Sequence, residues 1–305
     1  MAMMLDPAIL TDPAVLSELI FQGLVRGAMY ALMGIGLSLI FGILGIVNFA
    51  HGELFMLGTY VMYFVAAVLG LPFVAGVAVA GMALFLVGVV IERGLVEPLR
   101  RRAGRDWLLD SFVLTIGLMV VLQNLALIVF GSQRRGVTTL IEGSVTFGQV
   151  TITYERIAIL VLSVVVVALL AAYVKFTRTG KAIRATAQHP EAAQTLGIEV
   201  GRIYTIAFGI GAAMAGMAGA MLISIFPAFP NVGYQPVLKS FAVVILGGLG
   251  NIPGAIAGGF LLGIVEAYAI FFMSAGWQSV ITPIIIVLVL IFRPQGLFSA
   301  QGERP

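Results

Sequence analysis

Apolar residues fill long stretches of this chain and are separated by short clusters of charged or glycine-rich residues. A helix needs about 20 mainly apolar residues to cross a bilayer core of about 30 Å. Nine segments fit this pattern: Leu16–Ile43, Leu54–Leu69, Phe73–Val90, Phe112–Phe130, Ile157–Tyr173, Ile203–Ile225, Val237–Leu249, Ala255–Phe272 and Ser279–Phe292. Because the first is overlong and the seventh is short, the pattern predicts eight to ten transmembrane helices.

The segments are apolar on every face, unlike the strands of outer-membrane barrels, in which apolar and polar residues alternate over about ten positions. Composition supports the same fold class. Of 305 residues, 60% are hydrophobic and 10% are charged, against about 25% charged in soluble domains. The mean hydropathy is +1.09. We therefore predict an all-α polytopic integral membrane protein in which residues 1–305 form a single transmembrane domain.

Positive charge is concentrated in two loops, residues 93–110 and 175–202. Their basic residues are Arg93, Arg100, Arg101, Arg102, Arg105, Lys175, Arg178, Lys181, Arg184 and Arg202. Loops rich in Lys and Arg stay on the cytoplasmic side, so both loops are predicted to be cytoplasmic. Two predicted crossings separate them, which places Gly131–Arg156 outside, although Arg134 and Arg135 depart from the charge bias there.

The two ends of the chain differ in charge. Met1–Ser17 contains Asp6 and Asp12 and lacks Lys and Arg. This is the reverse of the basic start of a signal peptide, so we expect no cleavage. Three crossings before the first basic loop put this segment outside. Arg293 and Arg304 indicate a cytoplasmic C-terminus.

A polar cluster interrupts one of the longest apolar runs. Between Gly42 and Gly58, the residues Asn48, His51 and Glu53 stand among apolar neighbours. An ionisable residue inside a bilayer is costly and by default indicates a pathway or a partner. These three residues are therefore candidates for a translocation pathway. The sequence leaves an alternative open, in which they satisfy backbone groups at a helix break or cap the next helix.

A second interrupted segment, Leu249–Gly263, resembles Leu44–Gly58 in length and in its end residues. It contains Asn251 and Pro253 beside several glycines. A pair of such apolar segments in corresponding places points to inverted repeats with a pathway near the bilayer midplane. We predict broken or re-entrant segments and an inverted-repeat core, with Asn251 as a further pathway candidate.

Three more charged residues fall near or within apolar segments. Glu266 is a pathway candidate, and it could pair across the bundle with Arg26. For Arg26 the alternative is that its side chain extends to the membrane surface from near a helix end. Lys239 opens a short segment, where a position at the membrane interface is expected.

The chain carries few groups for catalysis or metal binding. It has no cysteine and only two histidines, and neither a His-Glu-x-x-His nor a Gly-x-Ser-x-Gly motif occurs. Gly180-Lys181-Ala182 lacks both the upstream glycine and the hydroxyl of a Walker A loop. We therefore predict that this chain is not an enzyme, holds no metal and does not hydrolyse ATP by itself.

The second basic loop contains a segment, Gly180–Gly197, with the composition of a short helix. Pro190 suits the first helical position, Glu191 complements the helix dipole and Gly197 suits the position after the C-cap. Such a helix is either a solvated connector or a docking element for a soluble partner. The docking candidates are Pro190, Glu191, Ala192, Ala193, Gln194, Leu196 and Gly197.

Three separated stretches together resemble the LivH-type permeases of branched-chain amino-acid ABC importers, the LivH/LivM family. They are Gly42–Gly58 with its core Ile-Val-Asn-Phe-Ala-His-Gly-Glu, Gly180–Gly197, and Val243–Gly263. The resemblance implies a permease of the bacterial inner membrane that lies in the lipid bilayer. Its implied partners are a homologous second permease, two cytoplasmic ATPase subunits and a periplasmic substrate-binding protein, and nucleic acid is not among them.

The resemblance also implies a mechanism of alternating access that moves branched-chain or similar amino acids from periplasm to cytoplasm. ATP and Mg²⁺ are expected on the partner ATPases, this chain binds no cofactor, and residues 190–196 become the coupling helix. Gly131–Arg156 and Phe226–Pro236 would help to receive the loaded binding protein. Since related permeases carry amides, urea or small organic acids, the solute stays open.

Two other classes of function remain to be weighed. A proton-coupled secondary transporter of small polar solutes would use Glu53, His51 and Glu266 as a relay and would need no other subunit. A channel or structural membrane subunit would have no coupled cycle, but the sequence lacks an evident filter motif. The predicted loop helix favours the ABC permease, because secondary transporters rarely need an ordered docking element.

Overall fold

The computed structural model describes residues 13–102, 106–137, 140–147 and 150–298. Within these ranges the chain is mostly helical. The helices are α1 (Pro13–Leu44), α2 (His51–Met62), α3 (Phe73–Ile91), α4 (Glu97–Arg102), α5 (Trp107–Phe130), α6 (Tyr154–Phe176), α7 (Arg178–Gln188), α8 (Pro190–Thr195), α9 (Val200–Met221), α10 (Tyr234–Gly247), α11 (Ile252–Met273) and α12 (Gln278–Phe292). Short π-helical turns extend α2 through Tyr63–Val68 and join α3 to α4 through Glu92–Val96.

Seven helical stretches in the described residues are long and apolar enough to cross a membrane, and two shorter apolar helices accompany them. Each of the nine segments predicted from the sequence corresponds to one of these stretches. The predicted all-α polytopic fold is therefore confirmed, whereas the predicted number of eight to ten crossings is reached only if the two shorter helices are counted with the seven long ones. The short seventh segment corresponds to α10, which has 14 residues.

The expectations for the two chain ends lie partly outside the described residues. Residues 1–12, with Asp6 and Asp12, and residues 299–305, with Arg304, are not described. The same holds for Arg105 in the first basic loop. The predicted orientation of the termini stays a prediction.

The core of the helix bundle is built around α1. This helix packs against α11, α9 and α10. Of the residues in its most apolar 18-residue stretch, 89% are buried. Glycine allows the closest approaches, since it lets two membrane helices come into backbone contact. A Cβ atom added to Gly259 of α11 would lie 2.5 Å from the backbone nitrogen of Ala31, so a larger residue would push the two helices apart.

The helices α5 and α6 lie at the periphery of the bundle. In their most apolar 18-residue stretches, only 11% of the residues of α5 and 22% of those of α6 are buried. Their exposed side chains are mainly Val, Leu, Ile and Phe. A helix with such an apolar outer face suits contact with lipid tails or with another membrane subunit.

A small antiparallel hairpin lies between α5 and α6. Its strands are β1 (Ser144–Phe147) and β2 (Val150–Thr153), with Ser144 opposite Thr153. The pattern of apolar and polar residues did not predict these strands. They belong to the segment predicted to lie outside the membrane, so they leave the all-α transmembrane fold unchanged.

The two basic loops meet at one end of the bundle. A cavity of about 560 Å³ is lined by Arg93 and Arg101 from the first loop and by Gln194 and Arg202 from the second. Both loops are largely helical, as α4 in the first and as α7 and α8 in the second. Their position at the same end agrees with the charge pattern, whereas the cytoplasmic assignment stays a prediction.

Candidate functional site

The polar cluster found in the sequence lies where α1 stops and α2 begins. Residues 45–50 are not helical, and Gly45 has a φ of +69°, which an L side chain rarely adopts. Irregular backbone at membrane depth is tolerated only where protein buries it or where it lines a water-filled cavity. The break therefore needs hydrogen-bonding partners from a neighbouring helix.

Helix α5 supplies these partners through three side chains spaced eight residues apart. The bonds run from Trp107 Nε1 to the Leu44 carbonyl (3.2 Å), from Thr115 Oγ1 to the Val47 carbonyl (3.1 Å) and from Gln123 Nε2 to Glu53 Oε1 (2.8 Å). Helix α5 is otherwise mostly exposed, so these polar contacts are a main attachment to the bundle. Sequence reasoning missed all three, although their polarity within an apolar segment was a usable signal.

The structure brings Asn48, His51 and Glu53 together at the start of α2. All three are fully or almost fully buried. His51 Nε2 lies 3.1 Å from the Met33 carbonyl of α1, and Glu53 accepts the bond from Gln123. The cluster thus joins α1, α2 and α5 at one buried place.

Several polar atoms of this cluster have no hydrogen-bond partner among the described residues. They are both amide atoms of Asn48, Nδ1 of His51 and Oε2 of Glu53. Leaving such a group buried and unsatisfied costs about 1–3 kcal/mol. A concentration of free donors and acceptors at one helix break can bind water or a polar solute, which favours the pathway interpretation.

The alternative interpretation, that Glu53 caps the next helix, receives little support from the contacts. Ala50 is the N-cap residue of α2, and no side-chain bond caps this end. Glu53 lies in the first turn, where a carboxylate is favourable to the helix dipole. Its side chain nevertheless bonds to Gln123 rather than to a backbone N–H. Capping alone therefore does not account for Glu53.

The second break separates α10 from α11, and there Asn251 has a clear structural role. Its Oδ1 accepts a bond from the Gly254 backbone at 3.1 Å, which makes it the N-cap of α11. Its Nδ2 donates to the Phe298 carbonyl at 3.0 Å. The helices are thus interrupted at both predicted places, whereas the inverted repeat and a pathway role for Asn251 stay predictions.

Glu266 lies in a buried polar cluster whose partners differ from the one expected. Its carboxylate forms an ion pair with Lys239 of α10, accepts a bond from Tyr30 at 2.6 Å and accepts another from Thr282 at 2.5 Å. The ion pair of Glu266 is formed with Lys239, whereas the sequence had offered Arg26 as a partner across the bundle. Lys239 was also expected at the membrane interface, yet it is only 5% exposed.

The predicted docking helix corresponds to α8, which has Pro190 in its first turn. Gly197 follows its C-cap with a φ of +83°. The exposed residues of the predicted set are Pro190, Glu191, Ala192, Gln194, Leu196 and Gly197. Ala193 instead faces inward and is 2% exposed. The docking role itself stays a prediction, and the preceding amphipathic helix α7 was not separated from α8 in the sequence.

Comparison with known proteins decides the family. Residues 19–290 match the family described as branched-chain amino acid transport system / permease component. The chain belongs to this family. No solved structure matches it.

Two curated relatives of this permease are similar over almost their entire length. BraD of Pseudomonas aeruginosa, a high-affinity branched-chain amino acid transport system permease protein, is 33% identical over 91% of this chain and 94% of BraD. LivH of Escherichia coli, with the same description, is 32% identical over 92% of this chain and 94% of LivH. LsrC of Yersinia pseudotuberculosis, an autoinducer 2 import system permease protein, is 32% identical over 38% of this chain and 35% of LsrC.

The two segments of the permease that were predicted to lie outside are joined to each other. Arg135 and Ala228 exchange two backbone hydrogen bonds of 2.9 and 2.8 Å. Arg134 places its guanidinium 4.8 Å from the centre of the Phe229 ring. These contacts connect Gly131–Arg156 to Phe226–Pro236 at the end of the bundle opposite the basic loops.

The described part of this permease offers no site for a resident metal ion. Within it, no group of three or more His, Asp or Glu side chains is arranged to hold one.

Proposed function

We propose that this permease is the membrane-spanning subunit of an ATP-driven importer that moves branched-chain or similar amino acids from periplasm to cytoplasm by alternating access. The observation that carries the proposal is the similarity to BraD and LivH over more than nine tenths of the chain. The bacterial inner membrane is the location that fits this role.

ATP hydrolysis belongs to partner chains in this proposal. The sequence has no Walker A loop, and the exposed surface of α8 offers a place where a cytoplasmic ATPase can dock. Leu196, just after α8, is 80% exposed, and an apolar side chain so exposed is a suitable anchor for a groove in a partner. ATP and Mg²⁺ are accordingly held by two such ATPase subunits, and no cofactor is held by this chain.

The remaining proposed partners can be placed on exposed surfaces of the bundle. A homologous second permease would cover part of the exposed apolar face of α5. The joined outer segments, Gly131–Arg156 and Phe226–Pro236, would receive a periplasmic substrate-binding protein. The break cluster of Asn48, His51 and Glu53 lies next to α5, so a solute moving between the two permeases would pass near it.

A proton-coupled secondary transporter remains the second candidate because Glu53 and His51 are buried ionisable groups. The proposed relay also required Glu266. That carboxylate is engaged by Lys239, Tyr30 and Thr282, which makes it a poor proton carrier. The contacts therefore favour the ABC permease.

Co-purification of the tagged chain from its native membrane tests the proposed assembly. We expect mass spectrometry to identify a second permease and ATPase subunits, with a periplasmic binding protein when its amino acid is added. A variant with Leu196→Ala should retain the second permease and lose most of the ATPase. Recovery of the chain alone would instead support the secondary transporter.

A further inference from the structure

A separate cavity of about 320 Å³ opens between α1, the start of α6 and the turn that follows α9. It is lined by Gln22, Val25, Arg26, Met29, Tyr30, Arg156, Leu222, Ile225 and Phe226. Arg26 precedes Leu44, the end of α1 beside the break, by 18 residues, or about 27 Å along the helix. The cavity therefore lies towards the end of the bundle that carries the hairpin, away from the basic loops.

Two guanidinium groups line this cavity without a carboxylate partner. The ion pairs among the described residues involve Arg100, Arg101 and Lys239, so neither Arg26 nor Arg156 is neutralised by one. Nη1 of Arg26 is buried and has no hydrogen-bond partner in the described part of the chain. Charged side chains within membrane segments are paired or face a functional cavity. The buried, unbonded Nη1 of Arg26 therefore favours binding of an anion, and the exposed Arg156 adds a second positive charge to the cavity.

Most of the remaining lining is apolar. Val25, Met29, Leu222, Ile225 and Phe226 contribute aliphatic and aromatic surface. A volume near 300 Å³ is at the small end of the range of small-molecule sites, and such sites combine apolar walls with a few polar groups that fix orientation. The cavity thus suits a small molecule with one anionic end and an apolar body.

We propose that this cavity binds a small carboxylate with an apolar side chain, held at its carboxylate by Arg26 and Arg156. A guanidinium group presents parallel N–H donors that match the two oxygens of a carboxylate. The amino-acid identity of the ligand rests on the proposed function, and branched-chain amino acids have this combination of groups. The site is distinct from the break cluster and lies nearer the outer end of the permease.

Binding to the purified full chain in phosphatidylcholine nanodiscs tests the charge recognition. The probes are leucine, 4-methylpentanoate, which lacks the amine, and leucinamide, which lacks the carboxylate. We expect the first two to bind and leucinamide to bind at least about tenfold more weakly, as the loss of a charge-assisted bidentate contact requires. Equal binding of leucine and leucinamide would overturn the proposal.

Substitution of Arg26 and Arg156 tests whether these two side chains bind the carboxylate of leucine. Arg26→Gln and Arg156→Gln should each weaken leucine binding about tenfold, whereas Arg26→Lys should retain part of it. Arg102→Gln, at the opposite end of the bundle, is the matched control and should leave binding unchanged. Unaltered binding in both Arg26→Gln and Arg156→Gln would contradict the assignment.

A labelling experiment keeps the test decisive if Arg26→Gln fails to fold. The chain has no cysteine, so Ile225→Cys introduces a single thiol at a lining residue that is 50% exposed. Leucine and 4-methylpentanoate should slow its reaction with a water-soluble methanethiosulfonate several-fold, and leucinamide should not. The unsubstituted chain provides the unreactive control.

A lipid phosphate could also interact with two arginines, and the same thiol distinguishes the two sources of an oxyanion. If phosphatidylglycerol in the nanodisc slows labelling while leucine has no effect, the cavity binds a lipid headgroup and the proposal is wrong. ATP-dependent leucine uptake without protection of the thiol would leave the proposed function intact and reject this site alone.

Discussion

At the scale of single residues, Glu53 is the side chain whose environment most needs explanation. It is 1% exposed, one carboxylate oxygen is bonded to Gln123 and the other has no partner among the described residues. A buried carboxylate with a free oxygen can bind a polar solute or its water. We therefore propose that Glu53 serves the pathway and does not act through helix capping alone.

Replacing Glu53 with Gln tests this assignment. The amide keeps the shape and can still accept the Gln123 bond, so membrane insertion and folding should be retained while the charge is lost. We expect the rate of amino-acid uptake to fall about tenfold, the magnitude of a lost charge-assisted contact. Glu18→Gln, an exposed carboxylate in the first turns of α1, should leave uptake unchanged. Normal uptake by Glu53→Gln would return this residue to a structural role.

The ion pair of Lys239 with Glu266 leads to a prediction about the stability of the protein. Removing one partner of a buried ion pair leaves an uncompensated charge and costs about 3–5 kcal/mol. Lys239→Met should therefore lower the thermal unfolding midpoint of the purified chain strongly. The double variant with Lys239→Met and Glu266→Gln should recover much of the loss. If the double variant is no more stable than the single one, the pair is not what stabilises this region.

Some of these residues could be found from the sequence and others could not. Asn48, His51 and Glu53 were visible because polar residues stand out in an apolar run. The partnership of Lys239 with Glu266 and the contact of Gln123 with Glu53 join different helices. Such pairings depend on how helices pack, and a single sequence carries no information on that arrangement.

At the scale of elements, α8 carries the clearest test of coupling. Ala192 is exposed on this short helix while Ala193 is buried against the bundle. Ala192→Arg places a bulky charge on the outer face without disturbing the inner one. We expect the assembled transporter to hydrolyse ATP while its uptake falls at least about tenfold, because the ATPase no longer engages the helix.

The control for this variant is Ser132→Arg, which adds the same charge at an exposed position of the opposite end. It should leave both hydrolysis and uptake unchanged. ATP-driven uptake that persists at the normal rate in Ala192→Arg would exclude α8 as the coupling element.

The helices were predictable because a membrane helix forms its backbone hydrogen bonds internally and must be apolar over its whole length. The ends of α8 were predictable because Pro190 lacks a backbone donor and Gly197 accepts a positive φ. The strands β1 and β2 were missed because each has only four residues, which is too short for an alternation of polar and apolar residues to be recognised. The π-helical turn Tyr63–Val68 was missed because its composition matches that of an α-helix.

At the scale of the whole molecule, the permease has two chemically different ends and a partly exposed apolar circumference. One end gathers the basic loops with α8, and the other carries the hairpin, the joined outer segments and the cavity with Arg26 and Arg156. The break cluster lies between them. This order fits the import mechanism proposed above, in which the end with α8 docks the ATPase and the opposite end receives the solute.

Leucine uptake into proteoliposomes tests the central claim most directly. The chain would be reconstituted with the subunits that co-purify with it, with ATP enclosed on the ATPase side and the loaded binding protein on the other. We predict uptake that needs ATP, the binding protein and all subunits, and that is unaffected by a proton uncoupler. Uptake by the chain alone that collapses with the uncoupler would contradict it and establish a secondary transporter.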